Sequence, residues 1–263
     1  MKWVSLLLVC FSAQVLAHER VLTLRLPTLQ DNGHAYYHEL LIEALKADGI
    51  NANVVATEKS IPQKRITKMV ENNQLSVMWL LQTKDRDAQY PSVNVPLTNG
   101  LIGQRILLIP PQLQSTFDQI HTLSDLQRSG LTAGLGISWY DVDVWRANNL
   151  HVYEQDGEWR GLYRKLSVEG PIHYFPRGMN EISYEAESYP YLAIEQRLIL
   201  QYQSDFIFYL SQDAKPYKPI IERALIKARS SGLMNKLINK HWRHSLDALH
   251  PENRTIIPLQ LPE

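Results

Sequence analysis

Arg86 is the residue whose chemistry stands out most in the sequence. It lies in a charged stretch, residues 84–87, that follows the apolar run Leu75 to Leu81. A guanidinium presents a planar fork that can hold a carboxylate through two parallel hydrogen bonds. The alternative is a solvated Arg in a charged loop. Arg86 is therefore a candidate anchor for a ligand carboxylate.

A second group of charged residues follows a predicted strand at Ile172 to Phe175. Arg177 could hold an anionic ligand together with Arg86. Alternatively, it could form an ion pair with Glu181 or Glu185. Glu181 is also the only attractive acid or base if the cleft belongs to an enzyme, because such a role needs a carboxyl group with a shifted pKa.

A glycine-containing turn, Gly134 to Ser138, joins a predicted strand to a predicted helix. Small residues let backbone N–H groups approach a ligand, and a helix N-terminus favours negative charge. The alternative, which is compatible with the first, is a tight turn with Ser138 as the helix N-cap. The turn lacks the Lys-Ser/Thr ending of a phosphate loop and the closing Gly of a nucleophile elbow.

Three aromatic residues are further candidates for a binding site. Tyr36, Trp79 and Trp139 could form the walls of a cleft. Most aromatic residues at such positions are simply part of a core, so both interpretations remain open.

His34 and His38 are four residues apart on a predicted helix and could face one metal ion, with His18 as a third ligand. Zinc sites need three or four ligands, and no Glu follows His34 as the metalloprotease motif requires. We therefore expect surface or cleft-lining histidines, with no metal and no cofactor.

Alternating strand and helix patterns surround these residues and must position them. The predicted strands are 21–26, 53–56, 75–81, 101–109, 131–135, 151–153, 172–175 and two stretches within 198–210. The predicted helices lie near 37–45 and 66–70 and at 138–148, 159–166, 220–228 and 233–242. This alternation predicts two α/β units with largely parallel sheets, the first completed by the end of the chain.

The composition and the length of the apolar runs argue against two further classes of protein. The chain has 263 residues, with 27 Lys and Arg against 27 Asp and Glu, so the formal net charge is zero. A general nucleic-acid binder would show a basic excess. No apolar run reaches the roughly 18 residues of a membrane-spanning helix, so we expect a soluble globular protein.

The first residues are typical of an export signal. Lys2 precedes an apolar stretch, Val4 to Phe11, and 15–17 (Val-Leu-Ala) offers a cleavage site. The alternative is a buried N-terminal strand. Because Cys10 is the only cysteine and lies inside the signal, a mature chain that begins at His18 would have no thiol.

Four stretches, in this order, carry a resemblance to a known family. They are Val77-Met78-Trp79 with Thr83 to Arg86, then Gly100 to Ile109, Leu131 to Asp141 and Ile220 to Trp242. Together they resemble the bacterial extracellular solute-binding proteins of family 3, and Tyr174 to Glu181 resembles an uncharacterised, divergent proteobacterial branch. The resemblance implies the two-lobed type II periplasmic binding-protein fold, which is α/β with a mixed, mostly parallel sheet in each lobe and two hinge strands.

The resemblance also implies roles for individual residues. In the family, an Arg at the place of Arg86 holds the ligand carboxylate, and the Thr at the place of Thr83 adds a hydroxyl. Family members that bind amino acids carry an Asp after the last strand of the second lobe, where this chain has Arg177. Either Glu181 takes over that pairing with the ligand ammonium, or the ligand is not an ordinary α-amino acid. The expected ligand-binding set is Arg86, Thr83, Ser138, Trp139, Trp79, Tyr36, Arg177 and Glu181.

We expect residues 1–17 to be the export signal. One lobe is expected to comprise residues 18–107 and 205–263, and the other residues 108–204. Hinge strands are expected near Leu101 to Ile109 and Asp205 to Leu210. The predicted function is a monomeric periplasmic binding protein that closes on a small, carboxylate-bearing ligand. Its partner would be an ABC permease or a sensor receptor, and we expect no nucleic-acid partner. The alternatives are an enzyme on the same fold, such as a small-acid dehydratase, and a sensor partner without a transport role.

Overall fold

A computed structural model describes residues 21–29 and 32–262. The predicted export signal, with Cys10 and His18, lies outside these residues. Among the described helices, none combines the length and apolarity that a membrane crossing requires.

The secondary-structure elements follow the predicted order. The strands are β1 (Leu22–Thr28), β2 (Ala52–Ser60), β3 (Val77–Leu81), β4 (Ser92–Val93), β5 (Gln104–Ile109), β6 (Thr132–Gly136), β7 (His151–Gln155), β8 (Phe175–Gly178), β9 (Ala193–Ile194), β10 (Leu198–Gln201), β11 (Phe206–Leu210) and β12 (Thr255–Pro258). The α-helices are α1 (Ala35–Ala47), α2 (Gln63–Glu71), α3 (Lys84–Gln89), α4 (Gln114–Phe117), α5 (Leu123–Arg128), α6 (Tyr140–Ala147), α7 (Ile182–Ser188), α8 (Lys218–Ser230) and α9 (Leu233–Ala248).

Helix α1 illustrates why these segments form where they do. It buries a stripe of residues at helical spacing, which are Tyr36, Tyr37, Leu40, Leu41, Ala44 and Leu45. Gly49 ends the helix with φ of +75°, a left-handed conformation that glycine adopts without steric cost. The amide of Ile50 then donates to the Leu45 carbonyl at 2.9 Å.

The sheets are mixed, and among the described strands five pairs are antiparallel and three parallel, where largely parallel sheets were expected. Three pairs are parallel, namely β1 with β2, β6 with β7 and β10 with β12. Strand β11 runs antiparallel to β3 and β4, and β5 runs antiparallel to β8, β9 and β10. The antiparallel pairs thus centre on β5 and β11, the strands that follow the two chain crossings described below.

Two cores divide the buried residues. The first core lies on both faces of β3 and β11, with α1, α8 and α9 on one face and α2 on the other. The second core lies on both faces of β5 and β10, and it buries α6 and the segment from residue 159 to 166. The chain crosses from the first core to the second at residues 98–103 and returns at 202–205.

The C-terminal tail differs from the prediction. We expected it with the first lobe, but β12 pairs with β10 and buries Ile257 and Leu259 in the second core. The chain therefore passes between the cores a third time, after α9. The apolar residues of the tail account for this placement, because they complete the second core beside Leu198 and Leu200.

Three predicted elements differ locally. The predicted strand 101–109 begins with a 3₁₀ turn, Leu101–Gly103, and the predicted helix at 159–166 is a 3₁₀ helix, Trp159–Lys165. A glycine lies inside each segment, Gly103 and Gly161, and glycine weakens regular structure. The predicted strand 172–175 instead begins at Phe175, at its last residue.

Candidate functional site

Thr83 and Arg86 lie at the carboxyl end of β3, where α3 begins. The Thr83 hydroxyl accepts a hydrogen bond from the Arg86 amide at 3.2 Å and so caps the helix. The Arg86 guanidinium donates from Nη1 to the Leu81 carbonyl at 2.6 Å, which fixes the side chain against the end of the strand. One edge of the guanidinium thus faces the protein, and its remaining N–H groups can bind other partners.

Arg86 is half-buried, yet among the described residues no carboxylate lies within 4 Å of its guanidinium. Burial lowers the pKa of Arg86, while the Tyr209 hydroxyl and the Asp141 carboxylate act in the opposite direction. Asp141 belongs to the first turn of α6, in the second lobe. The side chain therefore lies where the first lobe faces the start of α6.

Arg177 is an internal residue rather than an anchor for a ligand. Only 6% of it is exposed, and its Nε and Nη2 donate to the Glu185 carboxylate at 2.7–2.9 Å. Its Nη2 also lies 3.1 Å from Glu181 Oε2. The predicted anionic ligand between Arg86 and Arg177 is wrong, because two carboxylates of the same lobe already neutralise Arg177. The alternative, an ion pair with Glu181 or Glu185, is confirmed.

Three aromatic rings complete the surroundings of Arg177. Its guanidinium carbon lies 5.4 Å from the ring centre of Trp139, 4.9 Å from that of Trp159 and 5.1 Å from that of Phe175. These distances are typical of cation–π contacts. Trp139, predicted as a cleft wall, thus packs over a buried ion pair of the second lobe.

Arg105 is a buried charge that the sequence analysis missed. It lies on β5 and forms an ion pair of 2.9 Å with Asp141. Its Nε donates to the Tyr202 hydroxyl at 2.9 Å, and that hydroxyl donates to Asp141 at 2.8 Å. A charged residue inside the otherwise apolar strand Gln104–Ile109 was the available signal, since such a residue is buried only with a partner.

Glu181 connects these two ion pairs and is the more accessible carboxylate of the group. Its Oε2 lies 3.1 Å from Arg177 Nη2 and 3.7 Å from Arg105 Nη1, and it accepts from the Gly178 amide at 3.1 Å. Its side chain is 25% exposed, against 7% for Glu185. Glu181 is thus the most exposed carboxylate of the network.

The neighbouring Asn180 adds an oxygen acceptor at the same place. Its Oδ1 is buried and has no hydrogen-bond partner among the described residues. A Cβ atom at Gly178 would lie 2.9 Å from this oxygen and 3.1 Å from Glu181 Oε2. The two oxygens therefore converge beside a glycine, where a larger residue would displace them.

The glycine turn before α6 is shaped by packing. A Cβ atom at Gly134 would lie 2.8 Å from Ile172, and one at Gly136 would lie 2.6 Å from the Trp139 ring. Ser138 has φ of +66° and is exposed, and the N-cap position of α6 is occupied by Trp139. The predicted N-cap role of Ser138 is wrong, because the chain turns through a left-handed residue one position before the helix.

The remaining aromatic candidates, Tyr36 and Trp79, are both buried in the first core. Tyr36 is buried in the first core, where its hydroxyl donates to the Leu97 carbonyl at 2.5 Å. Trp79 stacks on Tyr37, with 4.7 Å between the ring centres. Burial raises the pKa of the Tyr37 hydroxyl well above its ordinary value, and the Glu181 carboxylate adds to that effect. Tyr37, which the sequence analysis did not select, therefore lies where α1 meets the loop that follows β8.

The two histidines of α1 hold the preceding loop. His38 Nε2 donates to the Pro27 carbonyl at 3.0 Å, and His34 Nδ1 accepts from the Leu29 amide at 3.1 Å. Burial is the main cause that lowers the pKa of His38 to about 4. In the described part of the chain no three metal-ligating side chains converge.

The site thus combines groups from both lobes. Arg86 supplies a half-buried cation from the first lobe, where the stacked pair of Trp79 and Tyr37 is buried in the first core. The loop 178–181 supplies two oxygen acceptors from the second lobe. Chemically, this arrangement suits a small molecule with an anionic group at one end and hydrogen-bond donors at the other.

The sequence itself matches no protein-family model and no curated protein sequence. Solved structures, in contrast, resemble the chain closely in shape. An amino acid ABC transporter substrate-binding protein from Streptococcus pneumoniae, bound to L-arginine, has a TM-score of 0.59 and 15% identity, covering 86% of this chain and 95% of that one.

Two further structures are similar to the same extent. A Salmonella typhimurium periplasmic binding protein of high arginine specificity has a TM-score of 0.61 and 12% identity, covering 84% of this chain and 100% of that one. The GluR0 ligand-binding core with L-glutamate has a TM-score of 0.58 and 12% identity, covering 84% of this chain and 97% of that one. The fold predicted from the sequence is confirmed: the chain has the two-lobed α/β fold of the periplasmic solute-binding proteins.

Proposed function

We propose that this protein is a solute-binding protein that closes its two lobes on a small, amino-acid-like ligand bearing a carboxylate. The observation that carries the proposal is the half-buried Arg86 guanidinium, which has no carboxylate partner among the described residues. A buried cation without a counter-charge is costly. A ligand carboxylate would supply that charge through two parallel hydrogen bonds.

The second lobe supports a ligand that also carries an ammonium group. Asn180 Oδ1 and Glu181 Oε2 converge beside Gly178, and both atoms accept hydrogen bonds. An ammonium group has three donors and a positive charge. It would donate to Asn180 Oδ1, which has no partner among the described residues, and to Glu181 Oε2, which also pairs with Arg177. Glu181 would then take the pairing role for which the sequence offers no Asp, and Trp79 would contact the rest of the ligand.

One lobe is proposed to comprise residues 21–29, 32 to about 100 and 205 to about 248. The other is proposed to comprise residues from about 104 to 201 together with the tail. The described crossings at 98–103 and 202–205 and the position of β12 support this division. The remaining predicted ligand contacts, from Thr83, Ser138 and Trp139, are proposed only as the rim of the cleft.

We further propose that the protein works outside the inner membrane and hands its closed state to a membrane partner, either an ABC permease or a sensor receptor. The ABC transporter named for one of the similar structures supports a permease partner. N-terminal sequencing of exported protein should return His18; a sequence that begins at Met1 would contradict export by cleavage.

The test of the ligand class is a thermal-shift screen of the twenty common amino acids and succinate, followed by calorimetry. Ligand at 100 times its dissociation constant stabilises the native state by about 2.7 kcal/mol, which the screen detects readily. We expect at least one amino acid to bind. If no amino acid binds, the proposed function is wrong.

Arg86→Ala is expected to weaken binding of the hit by at least about 30-fold, because losing one partner of a buried charge pair costs 2–5 kcal/mol. Arg65→Ala, at an exposed position of α2, is the matched control and should bind normally. Glu181→Gln should weaken binding of the amino acid more than binding of succinate, which lacks an ammonium group. Unchanged binding by Arg86→Ala would remove the anchor assignment.

A further inference from the structure

Tyr202 and Asp205 are three positions apart in the returning crossing, residues 202–205, and are held by opposite lobes. Asp205 is 9% exposed, and its Oδ1 accepts from the Thr98 hydroxyl at 2.6 Å and from the Thr98 amide at 3.1 Å. Its Oδ2 accepts from the Gly100 amide at 2.7 Å. One carboxylate thus ties the returning crossing to the outgoing one.

The outgoing segment up to Gly100 belongs to the first lobe. The Leu97 amide donates to the Phe206 carbonyl at 3.0 Å, at the start of β11. Asn99 Nδ2 donates to Asn235 Oδ1 on α9 at 2.6 Å. The bonds of Asp205 to this segment therefore anchor Asp205 on the side of the first lobe.

Tyr202 is anchored on the other side. Its hydroxyl accepts from Arg105 at 2.9 Å and donates to Asp141 at 2.8 Å, and both of these partners belong to the second lobe. The Tyr202 ring is buried in the second core. Only Gln203 and Ser204 separate this anchor from the one formed by Asp205.

Residues 203 and 204 have few hydrogen bonds: the Ser204 amide donates to the Tyr202 carbonyl at 3.0 Å, and just before them the Tyr202 amide donates to the Gly103 carbonyl at 3.1 Å. A Cβ atom at Gly103 would lie 2.5 Å from the Tyr202 carbonyl oxygen and 2.7 Å from that of Ser204, so only glycine allows the two crossings to touch here. The Ser204 hydroxyl is buried without a hydrogen-bond partner among the described residues. The contact of the crossings at this level is therefore mainly backbone against backbone.

We propose that Asp205 is a positioning residue that fixes the first-lobe side of the hinge, so that these two crossings bend at 101–103 and 203–204 when the lobes close. Tyr202 fixes the second-lobe side. The chain also passes between the lobes after α9, and the two anchors confine the bending of the other two crossings to short segments, which keeps Arg86 and the loop 178–181 aligned when they approach. The proposal rests on the two-lobed fold and requires no particular ligand.

The experiment measures the distance between the lobes without ligand, so its failure would leave the proposed ligand class untouched. Spin labels are attached at Ile226→Cys on the first lobe and Glu169→Cys on the second, both at exposed positions, in the full chain carrying Cys10→Ser. Pulsed electron resonance then gives the distance distribution. We expect a broader distribution for Asp205→Ala than for the parent protein, and an unchanged one for the matched control Ser204→Ala.

Amide exchange measured by NMR gives a second, residue-level result. Asp205→Asn keeps the shape of the side chain but loses one acceptor oxygen and the charge. The Thr98 and Gly100 amides should exchange about 10-fold faster or more in this variant, because hydrogen bonds to charged groups are the stronger ones. If Asp205→Ala does not fold, Thr98→Val replaces it in the distance measurement. An unchanged distribution in a folded variant, or equal broadening by Ser204→Ala, would overturn the proposal.

Discussion

Breaking the buried ion pair of Arg177 and Glu185 tests the conclusion that Arg177 is held inside the protein and does not anchor a ligand. Glu185→Ala removes a carboxylate that accepts from Arg177 at 2.7–2.9 Å in a nearly water-free setting. Removing one partner of such a pair costs about 3–5 kcal/mol, because the other charge is left buried and uncompensated. Glu181 remains 3.1 Å from Arg177, so the expected loss lies near the low end, about 3 kcal/mol.

Urea unfolding followed by circular dichroism measures this loss, with an unchanged slope as the check that the denatured state is the same. The matched control is Asp247→Ala, which breaks the pair of Arg243 and Asp247 at 3.5 Å with side chains 71% and 72% exposed. Such an exposed pair is worth less than about 1 kcal/mol. The double variant Arg177→Met/Glu185→Leu should recover most of the loss, since apolar replacement of a buried ion pair is often neutral. If Glu185→Ala costs no more than Asp247→Ala, Arg177 is not held internally and regains its candidacy as a ligand anchor.

Two further predictions concern stability. His38, whose pKa is lowered from 6.5 to about 4, binds fewer protons in the native than in the unfolded state between these values. The unfolding free energy should therefore fall as the pH drops from 6.5 to 4, and His38→Gln should flatten this part of the profile in urea titrations; an identical slope would contradict it. Gly134→Ala should cost about 1–3 kcal/mol, because the new Cβ meets Ile172 at 2.8 Å and Leu162 at 3.0 Å. Gly161→Ala, with its nearest neighbour at 3.8 Å, is the control and should not destabilise the protein in the same unfolding assay.

The order of the elements and the fold could be predicted from the sequence because they depend on local patterns. The apolar residues of α1 recur at helical spacing, and those of β3 form a continuous run. Both patterns are visible in the sequence itself. The tail could not be placed in this way. An extended apolar segment can pair with any open strand, and the choice of β10 depends on the final shape of the second core.

The site could be predicted only in part, for a related reason. Arg86 and Arg177 are both Arg residues close to the end of a predicted strand, and local patterns do not decide which one has an internal partner. The helix α7 carries Glu185 to Arg177, whereas among the described residues the guanidinium of Arg86 donates only to the Leu81 carbonyl. The difference is therefore one of tertiary contacts. Ser138 shows the same limit, because its left-handed conformation is set by how the turn packs around Trp139.

The C-terminal strand β12 affects whether copies of this protein can pair through the edges of their sheets. Without β12, strand β10 would present a row of unpaired backbone groups in an apolar strand, which is a template for strand addition between molecules. With β12 in place, the outer edge of the sheet is a four-residue strand that ends in Pro258, a residue with no amide hydrogen to donate. Short, proline-bearing edges resist pairing. The last residues of the chain thus protect the second lobe from edge-to-edge aggregation.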